Sequence, residues 1–282
     1  MTKAVVFVVS HIYSGSTWLS LMLGSHSAAF GLGELNKLYS RKDPRPCALC
    51  DEVSRECPYF FDVKQTPRDD IHQVMLERSG AQVLVDNSKR IGWCSHFLGE
   101  SRFQRKYIHL IRDPRGIHYS LLIRQRDPKL EHWAQRNHDI REFLVGENLD
   151  HILVTYNELA EHTDETLERI CRWIGLDYEA AQKEYWNFEH HGPGANGAAA
   201  AFLEKAQRSD PQFYSARRRT SFVDLRWKEH LPREVVLSIE SNTKVREVLE
   251  GLDLAFFDSG LRRCGTNRDP TCGYNPAALN RQ

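Results

Sequence analysis

Apolar and polar positions along the chain fall into a few repeating stretches. The run "AVVFVV" at 4–9 is continuous, β-branched and apolar, the pattern of a strand covered on both faces. "QVLVDNSK", "KYIHLIRDPRG" and "HILVTYNEL" follow the same pattern, and each ends in polar or charged residues. Helical spacing marks 71–78, 117–124, 133–146, 163–175 and 232–252, with Gly175 as a stop. Strands alternating with helices predict βαβ units. The expected fold is therefore α/β: a P-loop-like, three-layer arrangement with a central parallel sheet flanked by helices and ligands bound beyond the carboxyl ends of its strands. The stretch 41–66, rich in proline and cysteine, reads as an insertion over the top of the sheet, and "EHHGPGANGAAAA" at 189–201 as a flexible or ligand-covering loop. With no internal repeat and no linker, 1–282 reads as a single domain.

The first strand runs into "SHIYSGSTWLSLML", in which Ser14, Gly15, Ser16 and Thr17 separate strand from helix. Such a junction is an anion site, because unpaired N–H groups and the positive end of the helix dipole point into the turn. A nucleotide kinase or ATPase would need a first glycine and a lysine that this loop lacks, so the machinery for a metal-bound γ-phosphate is absent. Farther on, Arg112 ends a strand and offers a guanidinium fork, with Ser120 on the helix that follows. Two separate anion sites predict a ligand with two separated anionic groups. Asp113 and Pro114 set the turn out of the strand, while Arg115 and Arg90 read as surface or partner-binding charges.

Charge and cysteine content narrow the setting. Lysine plus arginine equals aspartate plus glutamate at 38 each, which gives no global field for nucleic acid or an acidic membrane. The N-terminal apolar run is too short to span a bilayer and lacks a cleavage site, so the expectation is a cytoplasmic protein without a membrane span. The sequence carries no signal for an oligomeric state. Among seven cysteines, Cys47, Cys50 and Cys57 have a metal-like first spacing but no fourth ligand nearby, and the favoured reading is a cysteine-containing cap loop without metal.

The ordered set "SGSTWL", "VDNSK", "IRDPRGIHYS" and "LVTYNELAEHTDETLERICRWIGL" resembles sulfotransferases that use 3′-phosphoadenosine-5′-phosphosulfate. The resemblance is closest to the branch with "SGST" and a downstream "GE", found among bacterial, carbohydrate and tyrosylprotein enzymes. It implies that Ser14, Gly15, Ser16 and Thr17 hold the 5′-phosphosulfate, that Arg112 and Ser120 hold the 3′-phosphate, and that Trp18 stacks on adenine. Asn196 falls where relatives place a donor-pocket residue, in an altered local order. Tyr13 of the same loop replaces a lysine or arginine usual in the family.

Sulfuryl transfer needs a base for the acceptor hydroxyl and a cation for the departing phosphate oxygen, with no metal. The first candidate base is Glu34, at the family's carboxylate position, and His11 is the rival. Lys89 is the candidate cation in place of Tyr13, the alternative being a solvated lysine paired with Asp86. The resemblance implies the hydroxyl of a sugar, lipid or small metabolite as acceptor and 3′,5′-bisphosphoadenosine as product. Two other classes stay open: a phosphotransferase with a degenerate phosphate loop, and a catalytically silent donor-binding protein.

Overall fold

The computed structural model describes residues 2–40, 47, 50, 56–194, 223–258 and 260–264. Five parallel strands, β1 (Ala4–Ser10), β2 (Ala29–Gly33), β3 (Val83–Lys89), β4 (Gln104–Ile111) and β5 (His151–Thr155), pair in the order β2-β3-β1-β4-β5. The helices are α1 (Ser16–Gly24), α2 (Asn36–Ser40), α3 (Ile71–Ser79), α4 (Ile91–Ser95), α5 (Pro114–Leu122), α6 (Leu130–Gly146), α7 (Tyr156–Glu161), α8 (Thr163–Ile174), α9 (Arg226–His230), α10 (Arg233–Ser241) and α11 (Thr243–Gly251). Among the described residues, no helix is long and apolar enough to cross a membrane.

The continuous apolar run of β1 is explained by its central place: all seven of its residues are buried. Its side chains alternate between two cores, as the strand period requires. Val5, Phe7 and Val9 pack with Ile71 and Met75 of α3 and with Ile140 and Leu144 of α6. Ala4, Val6 and Val8 pack with Leu19, Met22 and Leu23 of α1 and with Leu167, Ile170 and Ile174 of α8. The sheet thus has helices on both faces. Leu167, Ile170, Cys171 and Ile174 of α8 are buried at helical spacing, and the helix stops at Gly175 with φ 85°.

Three features depart from the sequence expectation. The segment "AFGLG", absent from the strands expected above, is the edge strand β2, and its two glycines hide the β pattern. The stretch 232–252 is not one helix but two, because Asn242 adopts an extended ψ of 120° and accepts from the Val245 N–H at 3.1 Å, capping α11. A hairpin of β6 (Leu254–Phe257) and β7 (Gly260–Arg263) forms a second, antiparallel sheet.

The sheet's carboxyl edge is shaped by how β3 ends. Its ladder with β1 shifts register between Phe7 and Val9, and its ladder with β2 shifts between Gly31 and Gly33. At this point Asp86 is buried, accepting from the Trp93 indole N–H at 2.7 Å and the Ser88 N–H at 2.9 Å, with His72 Nε2 at 2.9 Å. Phe7, Phe97 and Phe103 surround His72 edge-on, so water has no ready way to replace the carboxylate. Asp86→Ala would leave buried polar groups without a partner, at about 1–3 kcal/mol each. The urea midpoint should fall accordingly, and an unchanged midpoint would contradict this role.

Candidate active site

The turn between β1 and α1 is built by two left-handed residues, Tyr13 (φ 63°) and Gly15 (φ 91°). Only glycine suits the second position, since a Cβ there would lie 3.0 Å from the Tyr156 ring. The Gly15 carbonyl accepts from the Leu19 N–H at 3.0 Å, so the helix starts at once. Ser14 Oγ, Ser10 Oγ and Asn87 Oδ1 are buried here with no hydrogen-bond partner, while Asn87 Nδ2 donates to the Ser16 carbonyl at 3.4 Å. The Ser14 and Ser10 hydroxyls can each donate to an anion bound at this open helix start, whereas Asn87 Oδ1 can only accept. Ser16 is buried, Thr17 faces a cleft, and the Trp18 ring lies 5.9 Å from that of Tyr156.

Arg112 leaves β4 toward this turn. It donates to the Tyr13 carbonyl at 2.9 Å, pairs with Asp224 at 3.0 Å and sits 4.4 Å over the Tyr156 ring. A Cβ on Gly116 would stand 3.3 Å from its Nε. Ser120 is buried on α5. Asp224 and Tyr156 gave no recognisable signal in the sequence; Asp224 lies far along the chain and reaches Arg112 only through the fold. Burial alone would raise the Asp224 pKa, yet the bond from Arg226 and the charges of Arg112 and Arg226 hold it down at about 2. The expectation of a surface or partner-binding Arg115 is wrong: this side chain is buried, bonded to Asp113 at 2.6 Å and Glu240 at 2.5 Å, and stacked 4.1 Å from Trp227. It fastens α5 to α10 and α9. Asp113 also accepts from the Arg115 N–H at 2.8 Å, capping α5 as its turn role requires.

Glu34 and Lys89 meet where β2 and β3 end. Glu34 Oε1 lies 2.7 Å from Lys89 Nζ, and its other oxygen lies 3.0 Å from Lys37 Nζ. Lys89 therefore does not pair with Asp86, whose carboxylate is taken up by Trp93, Ser88 and His72. Its backbone is left-handed (φ 64°), a conformation that costs an ordinary residue energy and marks a position held by its surroundings. Burial pushes the Lys89 pKa down, opposed by the charge and hydrogen bond of Glu34. Arg136 of α6 ties the two strand ends together, donating to the Ser10 carbonyl at 3.4 Å and to the Lys89 carbonyl. Lys37 and Arg136 were missed in the sequence, although Lys37 stands three residues after Glu34 at helical spacing. His11 is buried, its Nδ1 is 2.9 Å from the Ile12 carbonyl, and burial lowers its pKa.

A small cleft opens beside the turn, bounded by Thr17 and Ser20 of α1, by Gly31 and Gly33 of β2, and by 190–194. Its wall is fastened to Glu34: the Glu34 N–H donates to the Pro193 carbonyl at 2.9 Å, and Lys37 reaches the Gly194 carbonyl at 3.2 Å. Behind it Cys47, Cys50 and Cys57 converge on His191, a partner 134 residues from Cys57. Hydrogen bonds from the Cys57 thiol, His191 and the Cys50 and Gly192 N–H groups pull the Cys47 thiol's pKa down against burial, while the Cys47 sulfur and burial push that of Cys57 up. Asn196 lies outside the described residues.

Residues 5–180, more than half of the chain, match the family described as "Sulfotransferase family". The fold is similar to the "Sulfotransferase Domain from the Curacin Biosynthetic Pathway" at 19% identity, with TM-score 0.56 over 89% of this chain and 97% of that one. It is likewise similar to the "Sulfotransferase Domain from the Synechococcus PCC 7002 Olefin Synthase" at 19% identity, with TM-score 0.59 over 91% and 96%. A sequence search of curated proteins found no match.

The Asp224 pair carries a pH signature. Its folded pKa of about 2 lies below the ordinary 3.8, so its stabilisation is full above the unfolded value and is lost as pH falls from about 4 toward 2. At neutral pH this amounts to ~2 kcal/mol. Asp224→Asn should lower stability near pH 7 and flatten its decline in acid, both read from urea midpoints across pH. An unaltered slope would show that Asp224 is not held by these arginines.

Proposed function

The chain belongs to the sulfotransferase family, and on that premise we propose that it transfers a sulfuryl group from 3′-phosphoadenosine-5′-phosphosulfate to a small-molecule hydroxyl, such as that of a sugar or lipid. The observation that carries this reading is the Glu34–Lys89 pair at 2.7 Å, a carboxylate and an ammonium at the sheet edge that also bears the anion turn. Nucleophile activation and charge neutralisation are the two things the reaction demands.

Ser14, Ser16, Thr17 and the N–H groups of the turn receive the phosphosulfate, and the unpartnered Ser14 hydroxyl supports that assignment. Arg112 and Ser120 take the 3′-phosphate; Asp224 is then the carboxylate with which that phosphate competes for the guanidinium. Trp18, already beside Tyr156, supplies a stacking face for adenine. The acceptor O–H gives its proton to a Glu34 oxygen while its own oxygen attacks sulfur in line. As the new S–O bond forms, the bond from sulfur to the bridging phosphate oxygen breaks and leaves charge on that oxygen. The Lys89 ammonium neutralises this charge, the job a basic residue at position 13 does in relatives. Lys37 holds the second Glu34 oxygen and so orients the base. His11, with a neutral ring favoured by burial and its Nδ1 facing a carbonyl, is the weaker candidate. Nothing observed favours the phosphotransferase reading, since the turn has no lysine.

Transfer of labelled sulfate from the donor to a panel of alcohols tests the reading. Glu34→Gln should reduce transfer about 10²–10⁴-fold while donor affinity stays near that of the parent. Equal turnover would move the base to His11. Lys89→Met should lower the rate far more than it weakens the bisphosphate product's binding, because the interaction strengthens as the bond breaks. The parent's rate should also fall on the alkaline side, below the ordinary lysine pKa of about 10.4, as the ammonium is lost. Lys89→Met should abolish that limb, and a limb that survives would assign it elsewhere.

A further inference from the structure

Outside the transfer chemistry, the described residues hold one more convergence of reactive side chains. Cys47 and Cys50 come from the cap segment, Cys57 from its far end, and His191 from the wall of the cleft. All four are buried, and their three Sγ atoms and one ring nitrogen lie within 4.8 Å of one another. His191 Nδ1 is 3.4 Å from Cys50 Sγ and 3.5 Å from Cys57 Sγ. A tetrahedral ion bound at about 2.3 Å to sulfur and about 2.0–2.1 Å to nitrogen would set its ligands roughly 3.5–3.8 Å apart.

We propose that Cys47, Cys50, Cys57 and His191 form a closed, structural zinc site that clamps the cap segment to the wall of the cleft. The donor set favours this ion. Three thiolates and one imidazole in a buried tetrahedron suit zinc, whereas magnesium and calcium require oxygen ligands. With four protein ligands no position is left for water or substrate, so the role is structural.

The surroundings are those of a metal site. The other His191 nitrogen, Nε2, lies 3.5 Å from the Glu189 carboxylate, which fixes which nitrogen faces the sulfurs. The Gly192 N–H points to Cys47 Sγ at 3.3 Å, the kind of donor that supports a ligating thiolate. Phe30 and Tyr59 flank the His191 ring at 6.1 and 4.7 Å, shielding it from water. Among the described residues, no strand or helix pairing joins the two loops. The thiols pack in the apolar core, and an ion bound to all four side chains would add a direct link between the two loops.

The consequence reaches the chemistry through the backbone. His191 is followed by Gly192 and Pro193, and the Pro193 carbonyl accepts the Glu34 N–H. A Cβ on Gly33 would come within 2.6 Å of that carbonyl, so the two strips of chain are pressed together. The ion thereby acts as a positioning element for Glu34 while touching no reacting atom.

The test is metal analysis of the full untagged chain, purified under reducing conditions without chelators. About one zinc per chain is expected. Cys57→Ser should fall well below that, whereas Cys94→Ser, which changes a buried cysteine outside the cluster, should keep it. Because Cys57→Ser also risks misfolding, the unaltered chain grown with cobalt in place of zinc gives a second readout. Intense visible bands of tetrahedral cobalt with thiolate charge transfer support the site, and His191→Cys should keep a tetrahedral spectrum with a shifted position. Protein that carries no stoichiometric metal and gives no such spectrum overturns the proposal, as does a Cys47–Cys57 disulfide in the reduced preparation. These readouts do not depend on sulfuryl transfer, so failure of either reading is distinguishable from failure of the other.

Discussion

A buried carboxylate, Asp86, governs how β3 ends, and the arrangement at the sheet edge follows from it. Three neighbours, Trp93, Ser88 and His72, hold the carboxylate in a cage of aromatic rings. With Asp86 fixed, the last residues of β3 leave the regular ladder, and Lys89 takes a left-handed conformation beside the end of β1. That turn carries its ammonium across to Glu34 at the end of β2. Asn87, in the same short run, reaches the start of α1. One anchored strand end therefore places an ammonium against the Glu34 carboxylate and a polar wall beside the turn into α1.

Charge at this edge is matched pair by pair. Lys89 and Lys37 face Glu34, and Arg112 faces Asp224. These are mostly buried ions, and an isolated buried charge would be costly, so each cation is held against a carboxylate. The balance agrees with the whole chain, whose equal numbers of basic and acidic residues leave anion recognition to local geometry. The orphaned Ser14 hydroxyl in the turn is the complementary feature, since it has a proton to donate and no internal partner to give up.

Much of this was legible in the sequence because it depends on local pattern. The unbroken apolar run of β1 announced a central strand, and the small residues of "SGST" announced a turn into a helix. Lys89 was visible as a strand-end residue, and Glu34 through the family resemblance at its position. What escaped depended on contacts distant in sequence. Two glycines concealed β2, and an asparagine that caps α11 looked like the interior of one long helix. Arg115 looked solvent-facing because its partners, Glu240 and the Phe257 carbonyl, come from the C-terminal part of the chain. The cysteine cluster lacked a fourth ligand only along the chain; in space His191 supplies it.

The proposed transfer requires that this edge bind a nucleotide with phosphates at both the 3′ and 5′ positions. Calorimetric titration of the full chain with 3′,5′-bisphosphoadenosine, AMP, and ATP with and without magnesium tests it most directly. The bisphosphate should bind more tightly than AMP and need no magnesium. Arg112→Ala should erase most of that preference, on the order of 2–5 kcal/mol for a desolvated charge contact. Magnesium-dependent ATP binding that exceeds the bisphosphate, or an Arg112→Ala variant that discriminates as well as the parent, would contradict it.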